Sequence, residues 1–131
     1  MLAGDPTKRN FTSDREGLAI NFACIGAGKS ETNGIPNYGC PGGLRAQVFF
    51  PSCWNGRDLD SPDHKSHVSY PVRRPNEGPC PADFPVHLIS IFYEVLYDTP
   101  QFDSEWEGDQ HPFVFSNGDP TGFGQFSITD V

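Results

Sequence analysis

A short stretch between two prolines concentrates the side chains of this sequence that could do chemistry. Asp63, His64, Lys65 and His67 all lie within residues 61–71. Proline fixes its own φ, so the ends of the stretch are rigid and the polar groups are expected to keep a fixed arrangement. The carboxylate and the two imidazoles can transfer protons or bind a metal ion near neutral pH. The stretch therefore predicts a functional site without specifying its reaction.

Two kinds of chemistry fit this stretch. The His-x-x-His spacing of His64 and His67 could chelate a divalent metal from a turn, with Asp63 as a third ligand or as a hydrogen-bond partner of an imidazole. Alternatively, His64 could act as a general base that Asp63 orients. The structural alternative is an ordinary loop whose imidazoles bond to backbone carbonyls. Two histidines without a remote third ligand are a weak metal motif, so the sequence leaves these interpretations open.

Acidic residues elsewhere could complete a hydrolytic pair, because glycoside hydrolysis needs two carboxyl groups at a defined separation. The candidates are Asp60, Asp63, Glu94, Asp98 and Asp119. Glu94 shares a face of a predicted strand with Phe92 and Leu96, and burial on such an apolar face would raise its pKa. The alternative is a carboxylate on an edge strand that faces solvent. The sequence alone does not give the separation of any pair.

Aromatic and polar side chains could contact a sugar ring. The aromatic candidates are Trp54, Tyr70, Tyr93 and Trp106. Most aromatic side chains pack in cores or anchor loops, so this is the alternative for each of them. Lys65, Asn117 and Asp119 could supply polar contacts. The segment that contains Asn117 and Asp119, residues 117–122, has two glycines and a proline and is equally typical of an ordinary tight turn.

The composition indicates a single domain with many turns. The chain has 131 residues with 14 Gly and 13 Pro, and aromatic side chains make up much of its apolar content. Its formal net charge is −8. Such a surface repels phosphate backbones, which argues against nucleic-acid coating. A nuclease that uses a metal ion to bridge the repulsion remains compatible with this charge.

The four cysteines, Cys24, Cys40, Cys53 and Cys80, predict two disulfides and an oxidising compartment. None of them forms a Cys-x-x-Cys pair, which argues against a zinc knuckle. Three pairings are possible, and we favour Cys24–Cys40 with Cys53–Cys80 because each closes a turn-rich loop. The alternative is four reduced, buried thiols. Asn10 begins an N-glycosylation sequon, a triplet that also arises by chance.

Alternating apolar residues predict a mostly β, antiparallel sheet or sandwich with long Gly/Pro-rich loops and no clear helix. Residues 19–24, 45–50, 91–97 and 112–116 are the main predicted strands, with short extended pieces at 67–70 and 86–89. Residues 26–43 form a predicted long loop. No apolar run approaches membrane-spanning length. The N-terminus lacks the basic and apolar regions of a signal peptide, which conflicts with an oxidising compartment.

Four long motifs resemble one known family. They are residues 1–6 (MLAGDP), 40–56 (CPGGLRAQVFFPSCWNG), 59–71 (LDSPDHKSHVSYP) and 112–124 (PFVFSNGDPTGFG). Together they resemble a fungal domain-of-unknown-function family, numbered nineteen ninety-six, over nearly the whole chain. The resemblance implies a secreted fungal protein that is sometimes attached to a cell-wall-binding WSC module. It implies no established activity and no established catalytic residue.

The chain departs from the family pattern at both ends. Members carry an upstream His-Val-His-type motif and a Tyr-Trp-Thr-Pro-type motif before the region matched here, so residues 1–124 resemble the C-terminal part of the domain and the fold is expected to be incomplete. Residues 125–131 form a divergent tail. A secretion signal would then lie upstream, and upstream imidazoles beside His64 and His67 could complete a metal site of which this chain holds half.

Several functions remain open from the sequence. The leading hypothesis is a secreted, disulfide-linked protein that binds or acts on cell-wall polysaccharide. If it is a hydrolase, we predict His64 or Asp63 as acid or base and Glu94 or Asp119 as its partner. The second is a metal-dependent nuclease or phosphodiesterase in which His64 activates water and Asn117 or Asp119 holds a divalent ion. The others are a non-catalytic cell-wall or interaction protein and an inactive fragment.

Overall fold

The computed structural model describes residues 1–128, which form eight strands and two short helices. The strands are β1 (Leu2–Gly4), β2 (Ile20–Cys24), β3 (Leu44–Phe49), β4 (Cys53–Trp54), β5 (Val68–Ser69), β6 (Val86–His87), β7 (Phe92–Tyr97) and β8 (Phe126–Ile128). An α-helix, α1, spans Arg15–Leu18, and a 3₁₀ helix spans Thr99–Glu105. The predicted mostly β class is confirmed. Of the divergent tail, residues 125–131, the last three lie outside the described residues.

The strands form three small antiparallel sheets. The central sheet has the order β2-β3-β7, a second sheet has the order β5-β4-β6, and β1 pairs with β8. The predicted strands at residues 19–24, 45–50 and 91–97 become β2, β3 and β7. Their β-branched and aromatic residues fit a pleated, half-buried surface, which is why alternation located them.

One face of the central sheet forms most of the core. On β2 and β3 the residues that point to this face are buried: Ile20, Phe22, Cys24, Leu44, Ala46 and Val48. The register pairs Val48 with Tyr93 and Leu44 with Tyr97, so the same face continues onto β7. Tyr93 and Tyr97 are nevertheless 40% and 43% exposed. The described residues therefore cover the core face on two strands and leave it open along the third.

Both disulfides join the cysteines that the sequence favoured. Cys24–Cys40 closes the long loop that separates β2 from β3, and Cys53–Cys80 ties β4 to the turn-rich segment before β6. No described cysteine is free. The bridges hold together segments that have little regular structure, which compensates for the limited core of a small domain.

The two helices are short and were not predicted. Asp14 caps α1 by accepting a hydrogen bond from the Gly17 N–H at 2.7 Å. The 3₁₀ helix has a proline in its first turn, a position where the missing N–H costs nothing. Neither segment is long enough to show helical periodicity, so only these capping residues could have indicated them.

The predicted strand at residues 112–116 is wrong. Phe113 and Phe115 alternate with more exposed neighbours as strand residues do, but no strand pairs with this segment in the described part of the chain. Instead, the Phe115 N–H donates to the Asp119 carbonyl at 2.9 Å, and the Phe115 carbonyl accepts from Gly118. The backbone of Phe115 therefore closes a turn, while its ring packs 6.2 Å from that of Phe22.

Gly122 fills a position that no larger residue fits. Its φ is +85°, and a Cβ there would lie 2.7 Å from the ring of buried Phe22. We expect Gly122→Ala to lower the free energy of unfolding by about 2 kcal/mol, because backbone strain adds to overpacking. Gly118→Ala is the matched control: its φ is +79° but a Cβ meets nothing within 4 Å. Urea denaturation should show a smaller loss for the control, and equal losses would contradict the predicted clash.

Candidate functional site

Asp63 organises the backbone of the loop at residues 60–67. Its Oδ1 accepts hydrogen bonds from the Lys65 N–H at 3.1 Å, from the Ser66 N–H at 2.9 Å and from the hydroxyls of Ser61 and Ser66 at 2.8 Å. The backbone bond from Ser66 and the two serine bonds hold the pKa of Asp63 well below its usual range. Asp63 is thus a carboxylate that stabilises a turn through its Oδ1.

His64 is oriented by Asp60 and not by Asp63. Its Nδ1 lies 2.9 Å from Asp60 Oδ1, and both side chains are more than half exposed. The hydrogen bond from His64 lowers the pKa of Asp60. The backbone of His64 has φ +55°, and its carbonyl accepts a hydrogen bond from the Leu2 N–H at 2.8 Å. The expected acid–base partner is therefore replaced by a carboxylate four residues earlier.

His67 has different surroundings from His64. It is buried, and its Nδ1 lies 2.8 Å from the Ser61 hydroxyl. In residues 1–128, no group of three or more His, Cys, Asp or Glu side chains is arranged to hold a metal ion. The metal hypothesis for His64 and His67 therefore has no third ligand within the described part of the chain, and it stays a sequence-based prediction.

Lys65 and Tyr70 line one shallow cleft of about 320 Å³ beside α1. The Lys65 ammonium donates to Glu16, which also lines the cleft. Tyr70 is buried, its hydroxyl donates to the Phe49 carbonyl at 2.8 Å, and burial raises its pKa above the usual value. Tyr70 is thus an anchor between sheets, and Lys65 is already paired.

Glu94 is exposed, which matches the solvent-facing alternative that the sequence left open. It lies on β7, an edge strand of the central sheet, and its side chain is 38% exposed. Its Oε1 is 3.2 Å from Arg45 Nε, and the other end of the same guanidinium lies 3.5 Å from Glu31. The solvent-facing alternative therefore describes this residue, and burial on an apolar strand face does not occur.

Asp119 is completely buried and joins two distant parts of the chain. It accepts hydrogen bonds from the Thr121 N–H and hydroxyl, at 2.9 and 2.6 Å, and from the Gly124 N–H at 2.7 Å. Arg9 Nε lies 3.8 Å away. Burial raises the pKa of Asp119, but these hydrogen bonds and the Arg9 charge outweigh it and leave the pKa below its usual value. This geometry makes Asp119 a structural carboxylate.

Asn117 belongs to the same junction. Its Nδ2 donates to the carbonyls of Pro6 and Gly124, at 3.1 and 2.8 Å, and its own carbonyl accepts from Arg9. No hydrogen bond or ion pair in residues 1–128 links this junction, or Glu94, to the loop at residues 60–67. The four acid–base candidates therefore belong to three separate contact networks.

The remaining predicted residues lie apart from these networks. Trp54 is half-buried and its indole N–H donates to the Asp58 carbonyl at 2.6 Å. The half-buried ring of Trp106 meets His111 edge-on at 6.4 Å. Asn10 and Thr12 are exposed, so the sequon is accessible, and glycosylation stays a prediction.

A cleft follows the open core face of β7, and we call it the β7 cleft. It consists of two adjoining hollows of about 250 and about 430 Å³ that share Tyr97 and Phe115. The smaller hollow is lined by Val48, Tyr93, Val95, Ser116, Asn117, Gly124, Gln125, Phe126 and Ser127 as well. The larger is lined by Ile35, Leu44, Asp98, Thr99, Gln101, Phe102, Pro112, Phe113 and Val114 as well. The lining thus combines aromatic rings with amide, hydroxyl and carboxylate groups.

The β7 cleft brings together two residues that the sequence analysis predicted as separate sugar contacts. Tyr93 was an aromatic candidate and Asn117 a polar one, and both line the smaller hollow. Tyr97 and Gln125 were missed. Tyr97 lies four residues after Tyr93 and on the same face of β7, so the alternation of side chains along this strand could have indicated it. Nothing in the local sequence marks Gln125.

These features define a disulfide-linked, antiparallel β domain with an aromatic cleft beside an edge strand. The chain belongs to the family described as Domain of unknown function (DUF1996), whose model matches residues 1–127. This match ends three residues beyond the boundary at residue 124 that the motifs suggested. No curated protein and no solved structure matches the chain. Neither of the helices described in residues 1–128 has the length and apolarity to cross a membrane.

Proposed function

We propose that this protein binds polysaccharide, without cleaving it, in the β7 cleft. The observation that carries the proposal is the pair Tyr93 and Tyr97, which share one face of β7 and are 40% and 43% exposed in the walls of the cleft. A pyranose ring has an apolar face that stacks on an aromatic ring, and a phenol adds a polar edge for a hydroxyl. Such a cleft combines apolar walls with a few polar groups that fix orientation.

Polar groups in the cleft suit a ligand that is rich in hydroxyls. Gln125 Oε1 and Thr99 Oγ1 are buried and find no hydrogen-bond partner among the described residues. An unpartnered buried polar atom costs free energy, and rotation of either side chain toward the cleft would let a ligand hydroxyl supply the missing bond. Gln101 and Asp98, which are hydrogen-bonded to each other, add polar groups at the far end.

Charge favours a neutral polymer as the ligand. The chain carries a formal net charge of −8, so phosphate and carboxylate polymers are repelled. Neutral glucan, chitin or mannan carries no such penalty. Cell-wall polysaccharide is also the ligand class of the leading sequence hypothesis, and a secreted, cell-wall location belongs to the same proposal.

The cleft favours binding over hydrolysis. Asp98 is the single carboxylate among the described residues that line it. Glycosidases need two carboxyl groups across the scissile bond. The acid–base candidates Asp63, His64 and Glu94 do not line the cleft at all, and a hydrolytic role for them would require a ligand bound elsewhere.

Co-sedimentation with insoluble glucan, chitin and mannan tests this proposal. We expect one polymer to retain the wild-type protein, and Tyr97→Ala to weaken that retention by roughly tenfold through loss of one stacking ring. Tyr97→Phe, which keeps the ring, should bind within about twofold of wild type. Thermal unfolding confirms that both variants are folded. Undiminished binding by a folded Tyr93→Ala/Tyr97→Ala double variant would exclude the cleft as the site.

A further inference from the structure

The outer edge of β7 lacks a partner strand. In the order β2-β3-β7, one side of β7 pairs with β3, and no other strand in residues 1–128 pairs with it. The opposite edge of this sheet is different. There Phe22 and Thr32 exchange two backbone hydrogen bonds of 2.7 and 2.9 Å, so a loop covers β2. The sheet is therefore protected on one side and open on the other.

The ladder shows which backbone groups of β7 point outward. The Phe50 N–H donates to the Ile91 carbonyl at 2.9 Å, so Phe50 and Ile91 form a hydrogen-bonded pair. Antiparallel ladders alternate hydrogen-bonded and non-hydrogen-bonded pairs. With the observed register, the N–H and C=O groups of Phe92, Glu94 and Leu96 then face away from β3. These three residues offer a row of free donors and acceptors.

This edge has little of the usual protection against strand addition. Soluble proteins block free edges with charged side chains, above all lysine, and with proline, bulges or very short strands. β7 has six residues in unbroken register, and none of them is proline or lysine. All six are exposed, including Leu96 at 66%. Glu94 is the only charged residue on the strand.

We propose that the β7 edge accepts an extended segment of another polypeptide, with alternating apolar and polar residues and a lysine or arginine opposite Glu94. On the core side, apolar residues of the added strand would continue the face that Tyr93 and Val95 leave open. On the other face, Arg45 is shared by Glu94 and Glu31, so these three groups retain one net negative charge. A cation opposite Glu94 balances that charge.

The same charge argues against a second copy of this chain as the occupant. In the antiparallel register that pairs Phe92 with Leu96, two copies place Glu94 directly opposite Glu94, and like charges in such pairs are destabilising. Each copy also carries a net charge of −8. Strand addition uses the backbone edge of β7, whereas the proposed polysaccharide site uses side chains on one face, so either proposal can fail alone.

A fluorescent eight-residue peptide that alternates valine and lysine tests the proposal by fluorescence anisotropy. We expect it to bind, and its valine–glutamate counterpart to bind at least roughly tenfold more weakly. The Leu96 N–H points outward and makes no hydrogen bond to β3. Leu96→Pro removes this N–H and should abolish peptide binding, whereas Leu96→Ala keeps the N–H and should retain binding. Glu94→Lys should reverse the preference between the two peptides, which tests the site even if the proline variant misfolds.

Three outcomes would overturn this proposal. The first is equal binding of the lysine and glutamate peptides, and the second is full binding by a folded Leu96→Pro variant. The third comes from sedimentation velocity of the intact protein: a dimer that Leu96→Pro abolishes would assign the edge to a second copy. A monomer at all concentrations, together with the lysine-dependent peptide binding, would support a cationic partner strand.

Discussion

Replacing Asp119 by alanine is expected to lower the free energy of unfolding by about 4 kcal/mol. The carboxylate is fully buried and accepts three hydrogen bonds of 2.9 Å or less from Thr121 and Gly124. Its removal leaves those donors unpaired in the interior and removes the carboxylate that faces Arg9. Because Arg9 and Asn117 both hold the N-terminal segment to this turn, the loss should spread to the β1–β8 pair.

Asp119→Asn is the matched control for this prediction. The amide keeps one acceptor oxygen and nearly the same volume but loses the charge and the second acceptor. We expect Asp119→Asn to lower the free energy of unfolding by about 2 kcal/mol, so that its stability lies between those of the wild type and the alanine variant. Urea denaturation followed by circular dichroism measures both. A loss below about 1 kcal/mol for the alanine variant would show that Asp119 does not hold the junction together.

The Asp119 contribution should also depend on pH. Its folded pKa lies below its unfolded value of about 3.9. A lowered folded pKa stabilises the protein fully above the unfolded pKa, and this stabilisation is lost as pH falls through the folded pKa. The difference in unfolding free energy between wild type and Asp119→Asn should therefore be constant from pH 5 to pH 7 and shrink below about pH 4. A difference that grows on acidification would contradict the assignment.

Removing the Cys53–Cys80 disulfide is the second large effect. We expect Cys53→Ala/Cys80→Ala to lower the free energy of unfolding by about 3.5 kcal/mol, because the bridge closes a loop with a sequence separation of 27. Alanine is preferred to serine since Cys53 is fully buried and a hydroxyl there would need a partner. Chemical denaturation without reductant provides the measurement.

The second disulfide is the internal comparison. Cys24→Ala/Cys40→Ala opens a loop with a separation of 16 and should lose slightly less, about 3 kcal/mol. Treatment of the wild-type protein with a reductant should lower the free energy of unfolding by more than either double substitution does. A wild-type protein whose midpoint is unchanged by reduction would show that the bridges contribute nothing to stability.

Local alternation predicted the central sheet well. Residues 19–24, 45–50 and 91–97 carry apolar side chains at every second position, and this pattern is typical of strands that share one core face. The disulfide pairing also followed from local reasoning, since each bridge closes its own turn-rich loop. These features depend on neighbours in sequence, which is why the sequence sufficed.

Features that depend on distant contacts were predicted poorly. The sequence left open whether Glu94 is buried or faces solvent, because strand order decides its burial, and β7 is at an edge of the sheet. Phe113 and Phe115 alternate like strand residues. The backbone N–H and carbonyl of Phe115 are nevertheless hydrogen-bonded within the turn that contains Asp119, so they do not pair with a strand. Periodicity cannot reveal which segment lies alongside another.

In the candidate site, too, features set by the local sequence were predicted and features set by distant contacts were not. The sequence located the loop that contains His64, but the carboxylate beside its imidazole is that of Asp60, and no local pattern specifies the left-handed backbone of His64. Tyr93 and Asn117 were each nominated as sugar contacts. Their meeting in one cleft depends on the path of the segment after residue 111, and this could not be inferred before the fold was known.

Titration of soluble oligosaccharides into ¹⁵N-labelled protein tests the central claim most directly. Hexamers of glucose, N-acetylglucosamine and mannose serve as probes. We expect one of them to shift backbone amide resonances around Tyr93, Tyr97 and Asn117, and we expect Tyr97→Ala to remove these shifts. Shifts confined to the region of Trp54, Lys65 and Tyr70, or no shift with any probe, would contradict polysaccharide binding in the β7 cleft.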